Sequence, residues 1–401
     1  MCPYIWAYEK FVCHRRGGNS VLKAIKNAQV VLENGIIWDG VVIINDGKIV
    51  DYGRARDVML PTLAEVIDAE GCYVGPGFVD LHVHGGGGYS TAMEGKEAAE
   101  FFLSHGATSI LATTAYFSNF DEIMESIRIT KENMKTVKSI KGFYHEGPFT
   151  NPKYGCCADL NPWRDEIEPE KFKAFVDESG EYAKVWAIAP ERPDLLPFLE
   201  YARKVNPGTV FALAHSDATP MQIRALGRYR PTLQTHSMNA THTQQPSGGG
   251  VRGYGPDEYA FKEIDVYTEL ISDSYGVHVH PELQQLLLHN KGIHRVVLIT
   301  DSTVFENETP EEFAHVEDIN FDHNGAIAGS KLTMDLACRN IMANTNCGIA
   351  QAFVMAATTP ARAIGMGDDV GSIEVGKTAD LVFVDDKFNI KRVILEGEVR
   401  Y

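Results

Sequence analysis

Gly75-Pro76-Gly77-Phe78-Val79-Asp80-Leu81-His82-Val83-His84-Gly85 reads as a β-strand running into a glycine-rich end at Gly85–Gly88. Side chains alternate faces along a strand, so Asp80, His82 and His84 share one face while Val79, Leu81 and Val83 share the other. An apolar back with a polar front suits a barrel strand whose C-terminal tip carries chemistry. Two imidazoles one residue apart aim at the same place and can grip one metal ion.

Working outward, residues 76–361 alternate short apolar strands with helical stretches, the pattern of a parallel sheet covered by helices. Strands are predicted at 78–84, 108–113, 141–146, 185–189, 210–215, 233–236, 267–272 and 296–301, with helices between most of them, among them 96–104, 120–137, 169–179 and 281–291. Eight parallel strands close into a (β/α)8 TIM-like barrel. Both chain ends look different. Strands at 28–32, 41–45 and 48–52 with a hairpin at Asp46-Gly47 are answered by 379–384, 393–395 and 399–401. Residues 21–75 plus 362–401 are therefore expected to form one small β-sandwich domain, and 1–20 an N-terminal extension to which no role is assigned. Two segments, 244–255 and 302–326, read as long loops.

Polar residues gather at the predicted strand tips. The first ends in His82 and His84, the third in Glu146, the fifth in His215, the sixth in His236 and the eighth in Asp301. Such barrels build their sites on that rim, so the six side chains should converge. Several histidines with a carboxylate suit zinc or a similar borderline ion, with an open position left for water.

Composition sets the class. The 401-residue chain is 44% hydrophobic and 23% charged, ordinary for a globular protein with a large core. A formal charge of -17 argues against nucleic acid or an anionic membrane as partner, though not against a small anionic substrate held by local cations. No apolar run is long enough to span a membrane, and the first twenty residues lack the basic start, apolar core and small-residue exit of a signal peptide. Seven cysteines with no C-x-x-C pair suggest reduced thiols in a cytoplasmic protein.

A set of motifs stands out: Pro76–Gly85, His145-Glu146-Gly147-Pro148-Phe149, Ala214-His215-Ser216, Thr235-His236-Ser237-Met238-Asn239-Ala240, Thr300-Asp301-Ser302, Ala328–Met334 and the tail Gly371–Val382. They carry a resemblance to the N-acetylglucosamine-6-phosphate deacetylase family of the amidohydrolase superfamily. It implies a divalent metal enzyme that removes the acetyl group from an amino-sugar phosphate. Glu146, His215 and His236 match the main metal ligands, and His82 with His84 a second metal position that some members lack. One or two ions are thus expected, zinc first, with iron, manganese or cobalt as alternatives. Asp301 matches the catalytic acid/base. Asn239 and Ala240 match a substrate contact, Tyr275-Gly276-Val277-His278 a loop whose histidine holds the sugar phosphate, and Ile327-Ala328-Gly329 another substrate-lining loop. Arg252 is the candidate for a phosphate-binding arginine lent by a neighbouring subunit, which implies a homodimer.

One departure concerns the sugar. Where the family usually places a substrate-contacting histidine, this chain has the pair Cys156-Cys157, with Cys157 at the matching position. A thiol is a weak donor and does not replace an imidazole. Rival readings are another deacylase of the superfamily, including one for N-acetylgalactosamine 6-phosphate, and a non-catalytic metal-binding scaffold. Many relatives bridge two ions with a carbamylated lysine; Glu146 in that neighbourhood favours the deacetylase.

Overall fold

The computed structural model describes residues 22–243 and 253–401. Eight parallel strands follow one another in chain order around a ring: Phe78–Val83, Ala107–Ala115, Ile140–Phe149, Ala183–Ile188, Val210–Leu213, Leu233–Gln234, Tyr267–Ile271 and Val296–Ile299. The ring closes where Val83 pairs with Ser302 in parallel, and the Asp301 amide donates to the His82 carbonyl at 2.9 Å. All eight predicted strands are present, several shorter at the tip than the sequence suggests. The residues that matter there, His215, His236 and Asp301, stand just beyond the ladder.

Helices cover the ring because each carries an apolar face towards it. Phe120–Met134 buries Ile123, Met124 and Ile127, and its start is fixed by a capping box: Asn119 accepts from the Glu122 amide while Glu122 accepts from the Asn119 amide. Pro169–Ser179 and Pro281–Lys291 begin on proline, whose missing N–H costs nothing in a first turn.

The two chain ends meet in one eight-stranded sheet. Its path runs Glu398–Val399, Ile390–Leu395, Leu381–Val384, Tyr73–Pro76, Leu22–Leu32, Gly35–Asn45, Lys48–Arg54, with Glu65–Asp68 beside the first half of Leu22–Leu32. Sequence reading missed Glu65–Asp68 and Tyr73–Pro76, which are short and carry charges or a Gly-Pro pair in place of an alternating pattern. Phe353 joins this sheet to the barrel, its ring 5.5 Å from Phe78 and 5.3 Å from Phe388.

The 302–326 segment is more ordered than the loop expected from its sequence. It contains a helical turn at Glu311–Phe313 and a strand, Ile319–Phe321, that pairs antiparallel with Ile327–Ser330 and folds back over the barrel mouth. Val316, Ile319 and Phe321 supply the small apolar cluster that drives this folding. Of the other expected loop, 244–255, residues 244–252 lie outside the described residues. Among the described residues, no helix is long and apolar enough to cross a membrane.

Candidate active site

Glu146 is the hub of the barrel mouth. One of its oxygens, Oε1, lies 2.7 Å from His215 Nε2 and 3.2 Å from His236 Nε2. The other, Oε2, lies 3.1 Å from His84 Nε2 and 3.7 Å from His82 Nε2. Asp301 Oδ1 completes the ring at 3.5 Å from both His82 and His84. The six side chains singled out in the sequence therefore converge around Glu146.

The backbone is bent to make this possible. His215, His236 and Asp301 take positive φ values of 40°, 26° and 46°, a region that non-glycine residues enter only at a cost of about 1–3 kcal/mol each. Each turns its side chain inward at the point where its strand stops. Gly155 approaches so closely that a Cβ there would lie 2.8 Å from His215 Cε1 and would crowd the Tyr116 hydroxyl.

Tautomers follow from the partners. His82 Nδ1 meets Glu269 Oε2 at 3.3 Å, and His236 Nδ1 meets the Asn239 carbonyl at 3.1 Å. Both partners only accept, so both Nδ1 atoms carry hydrogen. In neutral rings the Nε2 lone pairs then face the oxygens of Glu146 and Asp301. Lone pairs set against carboxylates at 3.2–3.7 Å repel unless a proton or a metal cation lies between them. His82 Nε2 and His215 Nδ1 are buried without a hydrogen-bond partner. Two ligand groups, Glu146-His215-His236 and His82-His84-Asp301, each bring their donor atoms within 4.8 Å of one another. The donor set fits a divalent ion.

Electrostatics agree with a cation-seeking site. Burial works against a charged His82, yet Asp301 and Glu146 more than offset it and hold its pKa well above the usual imidazole range. Burial opposes ionised Glu146 too, and His82 and His215 outweigh it, leaving its pKa well below the ordinary value. His145, next in the chain, is a different kind of histidine. It lies 4.0 Å from the Trp186 ring and hydrogen-bonds Thr114 and Ser179, and burial drives its pKa down to about 3, so it stays neutral as a packing residue.

A cavity of about 540 Å3 opens over the cluster. Asn239, Ala240, Ile327, Ala328 and Gly329 line it, as the sequence suggests, and so does Cys156. Cys157 is turned away. Its φ is 49°, its sulfur lies 3.9 Å from His323 Nδ1, and its amide donates to Asp322. Of the two cysteines singled out in the sequence, Cys156 lines the cavity and Cys157 does not.

Tyr275, Gly276, Val277 and His278 are absent from the cavity wall among the described residues. Tyr275 is exposed against His315, and the buried His278 is held by Asp273, with its Nε2 left without a partner. Arg252 lies outside the described residues. Sequence reading missed Glu269, a lone carboxylate inside the seventh strand, and Tyr116, whose ring lies 4.8 Å from His215 and whose hydroxyl donates to the Cys156 carbonyl at 2.7 Å.

Comparison with known proteins agrees with this geometry. The model of the amidohydrolase family matches residues 73–400. An N-acetylglucosamine-6-phosphate deacetylase of Haemophilus influenzae is 30% identical over 94% of this chain and 98% of its own length. One of Bacillus subtilis is 28% identical over 94% and 96%. The crystal structure of such a deacetylase from Pasteurella multocida covers 94% of this chain and 99% of its own with a TM-score of 0.82 at 24% identity, and so supports the fold. With the family model spanning most of the chain and relatives aligned nearly end to end, the chain belongs to the N-acetylglucosamine-6-phosphate deacetylase family of the amidohydrolases.

Proposed function

We propose that the chain hydrolyses the acetamide of N-acetylglucosamine 6-phosphate, giving glucosamine 6-phosphate and acetate, with Glu146, His215 and His236 holding a divalent ion and His82 with His84 a second position. The carrying observation is the meeting of these residues with Asp301 at the mouth of one closed barrel. Zinc suits a set of imidazoles and one carboxylate. When bound, such an ion supplies Lewis acidity to the amide carbonyl and acidifies water.

The remaining steps belong to the chain itself. Asp301, on the cavity wall, accepts the proton of the attacking water and returns it to the amine as the C–N bond breaks. Asn239, Ala240 and the glycine backbone at Gly329 orient the sugar. By the family resemblance His278 is assigned to the phosphate with Arg252 of a second subunit, which makes the active form a homodimer. A phosphorylated substrate does not cross membranes unaided, and this agrees with a cytoplasmic location.

The decisive experiment couples metal analysis to acetate release from N-acetylated gluco- and galacto-hexosamine 6-phosphates. Asp301→Asn should retain its metal and lose about 10²–10⁴-fold in kcat. Full turnover by that variant, or metal-loaded protein inert towards every N-acetyl hexosamine phosphate, overturns the proposal.

A further inference from the structure

The cavity is two-faced, and the barrel order says how. In a ring of eight consecutive strands, the second and sixth lie across from each other. Asn239 and Ala240 follow the sixth strand. Opposite them, apolar side chains cluster on the wall: Phe117 and Ile123 after the second strand, Met93 after the first, Val304 and Phe305 after the eighth, among Ser90, Ser118 and Ser126. The Phe117 and Phe305 rings lie 6.0 Å apart, bridging the second and eighth loops. Met93 is 60% and Val304 37% exposed, so hydrocarbon faces water at the cavity rim.

Two polar groups on that side are already engaged. The Ser118 carbonyl accepts from Trp163 Nε1 at 2.8 Å, and the Glu122 carboxylate accepts from the Asn119 amide. A sugar lying there would set part of its polar surface against the five apolar side chains, which is costly once water is excluded. A hydrocarbon would be welcome.

We infer that this lobe receives the acyl group of the substrate, and that the chain hydrolyses N-acyl glucosamine 6-phosphates whose acyl chain is longer than acetyl. The inference rests on the reading of the site given above. An amide clasped at the metal cluster, with its sugar towards the sixth strand, directs its acyl carbon towards the second. A single methyl group does not cover a wall of five apolar side chains in a cavity of about 540 Å3. The reaction is unchanged: the C–N bond breaks, water supplies hydroxyl to the acyl carbon and a proton to the amine, and a longer carboxylic acid leaves.

The test uses metal-loaded protein and the N-acetyl, N-butanoyl and N-hexanoyl derivatives of glucosamine 6-phosphate, with amine release as readout. Expected is a kcat/KM that rises from acetyl to butanoyl by up to about fourfold per buried methylene. Acetyl turnover with a flat or falling series overturns the lobe and leaves the deacetylase reading standing; no turnover with any member overturns both. The double variant Met93→Glu/Val304→Asp changes side chains already in contact with solvent and puts charge into the lobe. Its butanoyl-to-acetyl ratio of kcat/KM should fall at least about threefold; an unchanged ratio overturns the inference.

Discussion

Glu269 Oε2 accepts the Nδ1 hydrogen of His82 at 3.3 Å and, from the same oxygen, the backbone amide of His236 at 3.2 Å. One buried carboxylate thus sets the ring of a histidine from the first strand and the backbone of another beyond the sixth. Both histidines are thereby left with Nε2 turned towards Glu146.

Replacing that carboxylate should show as weakened metal binding before it shows as unfolding. Glu269→Gln preserves shape but removes the charge that keeps hydrogen on His82 Nδ1. Outer partners of metal-binding histidines are typically worth 10–100-fold in affinity, and a loss of that size is expected by competition with a chelating dye. Activity should recover at excess metal, which a purely structural defect would not allow.

Gly155 offers a steric test of the same centre. Its φ of 94° is strained for any other residue, and a Cβ would press on His215 and Tyr116. Gly155→Ala should therefore displace the His215 ring by a fraction of an ångström. A misplacement of about 1 Å costs about 100-fold in rate, so a smaller loss is expected here. Steady-state kinetics should show the loss while circular dichroism remains that of the parent.

How far the sequence foretells this site depends on what each residue's role is written in. Eight strands were legible because buried parallel strands are short apolar runs between helices, and the tip residues His82, His84, Glu146, His215, His236 and Asp301 stand out against them. The inward turn of His215, His236 and Asp301 was not, because left-handed backbone at a histidine or aspartate leaves no mark in composition. Cys156 and Cys157 are the same residue type, and only the fold shows that Cys156 is the one lining the cavity. Glu269 escaped notice as one acid in the run Tyr267–Ile271; its meaning lies in the contacts with His82 and His236, from strands far apart in the chain.

Removal of metal should abolish turnover and lower the melting temperature together. An ion that binds only the folded chain stabilises it by about 2.7 kcal/mol at a hundredfold excess over its dissociation constant. Calorimetry with and without chelator should show a melting point that climbs with added zinc. In Glu146→Gln, where the His215–His236 set loses its carboxylate, the climb should be much smaller.

The small sheet carries a pH signature of its own, away from the metal cluster. Asp380 is 4% exposed; Oδ1 accepts from the Glu396 amide at 2.7 Å, and Oδ2 has no partner. Burial pushes its pKa up from 3.8 to about 6, against the pull of Lys141. The folded chain therefore holds this proton more tightly than the unfolded chain. Between those two values the unfolded state is ionised while the folded state is still protonated, so stability falls as pH rises through the window and the penalty is complete above it. A rise of about two units corresponds to about 3 kcal/mol, roughly half of it falling between about pH 5 and pH 7. Asp380→Asn cannot ionise and can still accept from the Glu396 amide. In urea unfolding at the two pH values, the parent should lose stability relative to the variant by about 1–2 kcal/mol, whatever constant offset the substitution adds. A difference independent of pH would show that the buried carboxyl keeps its ordinary titration.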